Sequence, residues 1–494
     1  MKNLLKNNSY ILSFFVVLIV FLILYPYCAV GNTIQYPNCS INYDPLVDIH
    51  VNVTIKTIRS LEIHDDYFHC SKTIIREKPP GFYLVVWIND EFFESPIWPD
   101  SHIVYPNISF IANVSNYEEF VSIQLGLYEK CDHGEDILWD ITHRPKPDYA
   151  TITYSIATGH WIGDDYQGDI SGYGRLNGYD DENYNKRRQV AEVFFDISQT
   201  DYDGDGIPYW TEVHILGTDP TFDDTGIDYS GDGIPIEWEY KWGYDPFIWY
   251  DHKNLDPDED GLSNYEEYLT AEWGSDPFRA DVFLEIDYMQ DSDWGHSNMI
   301  PEDAIEMLHY PFHRRNHVIH IEISDILPFK RQTNLDDLLF IYQQYFLHND
   351  SDNWRRGVFH YGVFVYRTFP GGYAFSGDVP PHMGYHAGTN AFVISSSIMS
   401  RYARWYPQSL SYFFASATMH ELGHNFGFRW GNPYGVDAQL GKYPWQPMYY
   451  VYRNYKSIMN YRYTYHIFDY SDGNNGFLDH DDWSALDLTY FLIP

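Results

Sequence analysis

The stretch TMHELGHNFGFRW, residues 418–430, places His420, Glu421 and His424 in the spacing His-Glu-x-x-His. On an α-helix, residues i and i+4 lie on one face, so the two imidazoles can point at one ion. Small and apolar residues surround the motif and predict a buried helix. A buried helix with two histidines and a glutamate needs a compensating charge, which a metal ion supplies. The stretch therefore predicts a zinc site with His420 and His424 as ligands.

Two further features extend this motif. Gly427 completes the pattern His-Glu-x-x-His-x-x-Gly, and the downstream stretch SIMNYRY contains Met459 and Tyr461. Together they resemble the metzincin zinc peptidases and their Met-turn. The resemblance covers roughly residues 279–494 and implies an α/β catalytic domain. In it, Glu421 serves as general base and then general acid for zinc-activated water, and Tyr461 is an extra ligand or stabilises the tetrahedral intermediate.

The third zinc ligand departs from the metzincin pattern. Where the family places a histidine, this chain has Trp430, which cannot bind zinc. A downstream glutamate is excluded, because no glutamate occurs between Glu421 and the C-terminus. Asp437 follows a turn rich in glycine and proline (431–435) that could return the chain to the metal, so we predict Asp437 as the third ligand. The alternatives left open are His466, Asp469, Asp472, Asp479 and His480.

An internal repeat precedes this region. The segments DYDGDGIPYWTE (201–212), DYSGDGIPIEWE (228–239) and DPDEDGLSNYEE (256–267) align without gaps. Each has an oxygen-bearing side chain at positions one, three and five, glycine at six and glutamate at twelve, as in an EF-hand-type calcium loop. The predicted calcium ligands are Asp201, Asp203, Asp205 and Glu212, then Asp228, Ser230, Asp232 and Glu239, and finally Asp256, Asp258, Asp260 and Glu267.

The repeats predict an array of small units. A Gly-x-Asp-Pro stretch follows each loop, and the second loop carries one charge fewer than the others, so it should bind calcium more weakly. The pattern covers about residues 199–278 and resembles thrombospondin type 3 or bacterial calcium repeats, which implies units stacked through bound ions.

The rest of the chain divides into two further regions. Residues 33–197 contain short segments rich in β-branched and aromatic residues, which predict an antiparallel β-sandwich of C2-like or Ig-like type. From residue 279 onward, segments with strand and helix patterns alternate, including a strand predicted over 391–399, which predicts an α/β domain. The expected fold is therefore multidomain, with a β-sandwich, a calcium-loop repeat array and an α/β metzincin-like catalytic domain.

Two acidic loops allow either of two interpretations. The polar stretch 163–188 is expected to be a solvated loop, and the alternative is a C2-type calcium loop that uses Asp164, Asp165, Asp180 and Asp181. The glycine-rich stretch 469–483 is either an ordinary loop or a further calcium site that holds the Met-turn in place.

The N-terminus predicts export. Lys2 and Lys6 precede an apolar run at 11–24, so residues 1–30 are interpreted as a cleaved signal peptide or a retained anchor. We expect a secreted or cell-surface protein whose membrane attachment, if any, is through this segment alone. Three cysteines remain beyond it, and one disulfide between two of them fits an oxidising compartment: Cys39, Cys70 and Cys131.

The net charge limits which kinds of partner the protein is expected to bind. A formal charge of −39 excludes nucleic acid as a partner, because a polyanion would be repelled, and it favours bound cations. We therefore expect an exported zinc-dependent endopeptidase that acts on protein or peptide substrates and is stabilised by calcium. The alternative is a catalytically inactive, calcium-dependent surface adhesion or scaffold protein, and zinc-dependent hydrolysis of a non-peptide bond also stays open. The sequence leaves the oligomeric state undecided.

Overall fold

The structure, a computed structural model, describes residues 49–61, 81–99, 101–115, 117–131, 134–144, 148–167, 172–179, 189–249, 251–368, 371–374 and 390–490. The predicted signal or anchor (1–30) lies outside these residues, as do Cys39, Cys70, Asp180 and Asp181. Within the described ranges no helix combines the length and the apolar character that crossing a bilayer requires.

Eleven strands form the described part of the N-terminal region: β1 (Ile49–Ser60), β2 (Phe82–Ile88), β3 (Glu91–Glu94), β4 (Ile103–Val104), β5 (Ile108–Val114), β6 (Phe120–Glu129), β7 (Ile137–Trp139), β8 (Ala150–Ser155), β9 (Trp161–Gly163), β10 (Arg175–Asn177) and β11 (Ala191–Ser198). They make two antiparallel sheets. One has the order β10-β11-β1, with β4 and β5 both paired to the far side of β1. The other has the order β3-β2-β6-β8-β9, with β7 also paired to β6.

These two sheets pack on each other. Buried and exposed residues alternate along the first half of β6, as expected for a sheet with one face in a core. Aromatic pairs join the sheets: the rings of Phe93 and Phe110 lie 5.9 Å apart, and those of Trp161 and Phe195 lie 5.6 Å apart. The prediction of a β-sandwich is confirmed.

Short helices follow each acidic loop. They are α1 (Tyr209–Thr211), which continues as a π-helical turn over Glu212–Leu216, then α2 (Ile236–Lys241) and α3 (Asn264–Leu269). The first two repeats rest on the sandwich, because the Thr211 hydroxyl donates to the carbonyl of Ala157 (3.0 Å) and the Tyr240 hydroxyl donates to that of Thr158 (2.9 Å).

The C-terminal region is an α/β layer. Its elements are β12 (Asp281–Met289), α4 (Glu302–His313), β13 (Val318–Leu327), α5 (Leu335–Ile341), β14 (Phe359–Val365), β15 (Gly372–Ala374), β16 (Ala391–Ser395), α6 (Ser396–Trp405), α7 (Leu410–Asn425) and α8 (Met448–Val451). The strand order is β13-β12-β14-β16-β15, parallel except for the antiparallel edge strand β15.

Both faces of this sheet are covered. Along β12, Leu284 and Ile286 join the core that contains α4 and α7, whereas Phe283 and Met289 join the core on the α5 side. A sheet buried on both faces needs apolar residues throughout, which explains the continuous apolar character of these strands.

One predicted strand is too long. The segment 391–399 was expected to be extended throughout, but the strand ends at Ser395 and α6 begins at Ser396. Met399 is buried in the core around α7, and Ile398 and Tyr402 pack against that core with helical spacing. Tertiary packing of these side chains therefore outweighs the local preference for a strand.

A buried carboxylate connects the sandwich to the α/β layer. Glu192 of β11 accepts from Arg59 Nη1 (2.6 Å) and Arg175 Nη2 (2.7 Å), and lies 2.6 Å from Nδ1 of His313 at the end of α4. All the described residues belong to one compact unit, Leu46–Pro494.

Candidate metal centres

The histidine pair lies on helix α7. Ser409 caps this helix, since its side chain accepts from the Tyr412 amide (3.1 Å), and every residue from Phe413 to Asn425 is buried. The helix ends at Asn425 with Phe426 as its C-cap, and Gly427 follows with a φ of 96°, which is readily adopted only by glycine. The rings of His420 and His424 lie 5.1 Å apart and nearly perpendicular.

Asp437 reaches both histidines. Its Oδ1 lies 3.1 Å from His420 Nε2, and its Oδ2 lies 3.3 Å from His424 Nε2. One ligand atom from each of the three residues falls within 4.8 Å of the others. Asp437 has a φ of 53°, in the left-handed region that aspartate tolerates better than most residues. The turn after α7 thus returns the chain to the helix.

Two of the other donors weighed for the third ligand have hydrogen-bond partners elsewhere. Asp469 accepts from the Trp483 indole (3.0 Å), and Asp479 accepts from Ser471 (2.7 Å) and from Asn475 (2.7 Å). Among the residues that the structure describes, the group around the histidine pair contains none of these alternatives: His466, Asp469, Asp472, Asp479 and His480. Hydrogen bonds within the loop also satisfy much of the acidic stretch 469–483.

Backbone carbonyls fix the orientation of both imidazoles. His420 Nδ1 lies 2.9 Å from the Ile458 carbonyl, and His424 Nδ1 contacts the Phe428 carbonyl. A carbonyl only accepts, so each Nδ1 carries a proton, and each Nε2 faces Asp437 with either a second proton or, in the neutral ring, a lone pair. Lone pairs facing carboxylate oxygens repel unless a cation lies between them. This is the arrangement found around metal-bound histidines.

The pKa shifts of His424 and Asp437 also favour a bound cation. Burial alone would lower the pKa of His424, but the Asp437 carboxylate raises that pKa to about 9. Burial alone would raise the pKa of Asp437, but the hydrogen bonds and charges of the two histidines outweigh burial, so this pKa lies well below its usual range. In the metal-free protein, protons on the histidines therefore balance the charge of Asp437, and a divalent cation can replace these protons.

Glu421 is next to the pair and faces strand β15. Its side chain is buried, and burial raises the pKa of its carboxyl group, while the two histidines and the Ala374 amide act in the opposite direction. A Cβ atom placed on Gly372 would lie 2.9 Å from Glu421 Oε1, so the strand backbone approaches the carboxylate closely. Glycine allows this approach.

The SIMNYRY stretch lies under the same helix turn. Met459 is fully buried, and a Cβ atom on Gly423 would lie 2.5 Å from its sulfur. The Tyr461 ring stacks on His420 at 5.7 Å. Burial, the Asp437 and Glu421 carboxylates, and a hydrogen bond to Asp437 raise the pKa of Tyr461 strongly, so its hydroxyl stays protonated. Trp430 is 74% exposed and takes no part in this group.

The three acidic loops share one geometry. The first aspartate of each loop accepts from the amide of the glycine at position six: Asp201 from Gly206 (3.0 Å), Asp228 from Gly233 (2.8 Å) and Asp256 from Gly261 (3.0 Å). These glycines have φ values of 88°, 104° and 97°. The structure groups Asp201, Asp203 and Asp205 in the first loop and Asp256, Asp258 and Asp260 in the third.

The glutamates at position twelve are buried beside these aspartates. Glu212, Glu239 and Glu267 are at most 1% exposed, and each has at least one oxygen without a hydrogen-bond partner in the part of the chain described. Burial raises the pKa of Glu212 and of Glu239 to about 8. Carboxylates buried without partners are expected where a cation supplies the missing interaction.

Two residues in these clusters were missed by the sequence analysis. Asp224 joins Asp205 and Glu212, and His252 joins Asp232 and Glu239. Ser230, predicted as a ligand, donates to Asp228 (3.2 Å). Asp224 and His252 each follow their loop by about the same interval, but that interval lies outside the twelve-residue pattern, so the loop alignment did not reveal them.

The alternative calcium loop of the sandwich has different partners. Asp164 accepts from Arg144, and Asp165 accepts from the Trp161 indole (2.7 Å) and the Gly174 amide (3.0 Å). These two side chains are therefore engaged by hydrogen bonds within the protein. Cys131 takes part in a disulfide, and its partner lies outside the described residues.

Comparisons with known proteins give no family. No protein-family model matches the chain, and no curated protein matches it. A structure of human GIVD cytosolic phospholipase A2 with methyl gamma-linolenyl fluorophosphonate is 13% identical, covering 31% of this chain and 18% of that one with a TM-score of 0.18. This chain therefore spans less than a fifth of the phospholipase that it matches.

Two C2 domains give similar values. A structure titled as a C2 domain is 10% identical over 30% of this chain and 98% of its own, with a TM-score of 0.18. A C2 domain of plant extended synaptotagmin 1 is 8% identical over 31% of this chain and 95% of its own, with a TM-score of 0.18. Likenesses at such scores carry no argument about function.

Proposed function

We propose that this chain is an exported zinc-dependent endopeptidase of metzincin-like type, stabilised by calcium. One observation carries the proposal: Asp437 meets both helix histidines at 3.1 and 3.3 Å while backbone carbonyls occupy their Nδ1 atoms. Two nitrogens and a carboxylate are an accepted ligand set for zinc with an open fourth position. A zinc ion held there would supply a water of near-neutral pKa and polarise a carbonyl group.

Glu421 is the residue that moves protons. It follows His420 directly in the chain, and burial raises the pKa of its carboxyl group, which is the direction that favours a group able both to accept and to release a proton. In peptide hydrolysis it takes the proton of the attacking water and then passes it to the leaving amine. Tyr461 remains protonated beside Asp437 and is positioned to donate a hydrogen bond to the oxyanion of the tetrahedral intermediate.

Strand β15 supports a peptide as the substrate. It pairs with β16 along one side and pairs with no other strand in the described part of the sheet. Glu421 contacts it at Gly372 and Ala374. An extended peptide can add to such an edge by main-chain hydrogen bonds, which would bring its carbonyls past the catalytic carboxylate.

The acidic repeats support the calcium part of the proposal. Their position-twelve glutamates are buried with unpartnered oxygens, and Asp281, which begins β12 of the α/β sheet, donates its amide to Asp260 in the third loop (2.7 Å). Calcium in these loops would hold the array rigid and keep β12 in place. The disulfide at Cys131 and the apolar N-terminal run favour export.

The second candidate is a calcium-dependent adhesion or scaffold protein without catalytic activity. Trp430, where the family places its third histidine, motivates it, whereas the proximity of Asp437 to both histidines supports the peptidase instead. Zinc-dependent hydrolysis of a non-peptide bond uses the same ligands and is distinguished only by substrate.

The deciding experiment combines metal analysis with a protease assay. The purified full-length protein is stripped with a chelator and reloaded with Zn²⁺ in the presence of Ca²⁺, and casein cleavage is measured before and after. We expect cleavage to disappear on stripping and to return with Zn²⁺ but not with Ca²⁺ alone. Calcium-dependent binding to cells or polymers without any zinc-restored cleavage would favour the scaffold and overturn the peptidase.

A further inference from the structure

The middle repeat differs from the first in the residue that lies beside the aspartate at loop position five. In the first repeat this place holds Asp224, whose backbone amide donates to Asp205 Oδ2 (3.4 Å) and whose carboxylate joins Asp205 and Glu212. In the third repeat it holds another aspartate, Asp281, whose amide donates to Asp260 Oδ2 (2.7 Å). Both neighbours of the middle repeat thus place an acidic residue here.

In the middle repeat the same place holds a histidine. His252 Nε2 lies 2.9 Å from Asp232 Oδ2 and 3.0 Å from Glu239 Oε1. We call Asp232, Glu239 and His252 the repeat-two cluster. One ligand atom from each residue lies within 4.8 Å of the others, and all three side chains are at most 1% exposed.

An unpartnered atom points to a ligand in this cluster. Glu239 accepts from His252 through Oε1, while its other oxygen, Oε2, is buried and has no hydrogen-bond partner among the described residues. When both carboxyl groups are ionised, two negative charges lie beside one imidazole, so at least one lacks a counter-ion even if the imidazole is protonated. A divalent cation between the three residues satisfies both the charge and the free oxygen.

The donor set indicates which cation. Calcium takes six to eight oxygen ligands and does not select nitrogen, whereas zinc and its neighbours in the first transition row bind imidazole and carboxylate at low coordination number. We propose that the repeat-two cluster is a buried transition-metal site of the zinc class, separate from the site on α7. The second loop then takes this metal in place of the calcium that its sequence predicts, unlike the loops on either side. The inference does not depend on the peptidase proposal.

The cluster is placed to fix the second repeat against the third. The His252 ring stacks on Tyr244 with centroids 4.4 Å apart and planes 7° from parallel. The backbone carbonyl of His252 accepts from the Asn264 side-chain amide (2.8 Å), and Asn264 is the first residue of α3. A metal on His252 would therefore connect the second loop, through one residue, to the helix of the third repeat.

The test removes the α7 site first, so that the zinc counted belongs to the repeats. The full-length variant His420→Ala/His424→Ala is stripped with a chelator, reloaded with Zn²⁺ in the presence of excess Ca²⁺ and passed over a desalting column. We expect it to retain about one zinc per chain. Adding His252→Asp, which restores the acidic residue of the other repeats, should weaken Zn²⁺ binding at least about tenfold and leave calcium uptake intact. Adding His50→Asp instead is the matched control, because His50 is exposed on β1.

Two outcomes overturn the proposal. One is a parent variant with native circular dichroism that retains no zinc under excess calcium; the other is a His252→Asp variant that binds zinc as tightly as the parent. A second substitution covers a folding failure of His252→Asp. His252→Cys in the same background, loaded with Co²⁺, should show a thiolate-to-cobalt charge-transfer band in the near ultraviolet. Cobalt binding without that band would place the metal elsewhere and contradict the proposal.

Discussion

The backbone amide of Asp437 donates a hydrogen bond of 3.1 Å to the carbonyl oxygen of Met459. The turn that carries the third predicted ligand and the SIMNYRY turn therefore hold each other beneath α7. His420 contacts both turns, since its Nδ1 meets the Ile458 carbonyl and its Nε2 meets Asp437. The position of the ligand is thus set by long-range main-chain contacts rather than by its own segment.

Replacing Asp437 should release the metal. Asp437→Asn keeps the side-chain volume and the backbone hydrogen bond to Met459 but removes the charge that faces both imidazoles. We therefore expect zinc affinity to fall by at least about tenfold. Zinc content after dialysis against a weak chelator measures the loss. Asp472→Asn, at an exposed acidic residue of the C-terminal loop, is the matched control. Equal zinc retention in both variants would exclude Asp437 as a ligand.

Replacing Glu421 should separate binding from chemistry. Glu421→Gln preserves the size of the side chain and leaves the zinc ligands in place, but it cannot accept a proton. We expect unchanged zinc content and a rate of peptide hydrolysis lower by about 10²- to 10⁴-fold. Glu302→Gln on the exposed side of α4 should leave both values unchanged. Wild-type hydrolysis by the Glu421 variant would remove this residue from the mechanism.

Removing calcium should loosen the repeats. Stripped protein has lost the cations between its buried carboxylates, so we expect a lower Tm and faster proteolysis within residues 199–278. Each site filled at a hundred times its Kd contributes about 2.7 kcal/mol of stability. Asp203→Asn, which alters a carboxylate whose two oxygens are buried and unpartnered among the described residues, should reproduce part of the loss, and Glu272→Gln at an exposed position should not. A Tm that does not respond to calcium would contradict the calcium array.

Calcium affinity should depend on pH. Burial raises the pKa of Glu212 to about 8 in the metal-free protein, so this carboxyl group carries a proton at neutral pH and must lose it to bind a cation. Calcium affinity should therefore rise from about pH 6 to about pH 8 and then level off. Titration calorimetry in two buffers of different ionisation enthalpy measures the proton released. Affinity that is flat over this range would show that Glu212 is already ionised or does not bind.

Filling the space above Met459 should disturb the α7 site. Gly423→Ala places a methyl group 2.5 Å from the Met459 sulfur, and Met459 is fully buried. We expect a loss of about 1–3 kcal/mol in the free energy of unfolding, as for other overpacked cores. Measured by urea denaturation, the double variant Gly423→Ala/Met459→Ala should lose less stability than the sum of the two single losses. Strict additivity would mean that the two side chains do not meet.

Local patterns predicted most of the elements that carry the sites. The spacing of His420 and His424 placed both on one helix face, and the loop alignment placed glycines with positive φ at Gly206, Gly233 and Gly261. Such features follow from interactions within a few residues of the chain, where helix geometry and turn stereochemistry leave few choices. The strands of the sandwich were found in the same way, from alternation.

Packing overruled local preference in other places. The segment beyond Ser395 continues as a helix because Met399 must enter the core around α7. Strand β15, three residues long, gave no alternating pattern and exists because β16 offers it an edge. Sequence reasoning missed both, since neither result is encoded within the segment itself.

The sequence by itself determined the helix with its histidine pair, the three acidic loops and the strands of the sandwich, because periodic side chains act over one or two turns of chain. The sequence offered Asp437 as one of several candidate third ligands, and only the tertiary structure brought it beside both histidines and brought His252 beside Asp232 and Glu239. Both residues are separated in sequence from the groups they meet, and their positions depend on how whole elements pack. Packing of that kind is a property of the assembled core, so it cannot be read from one segment.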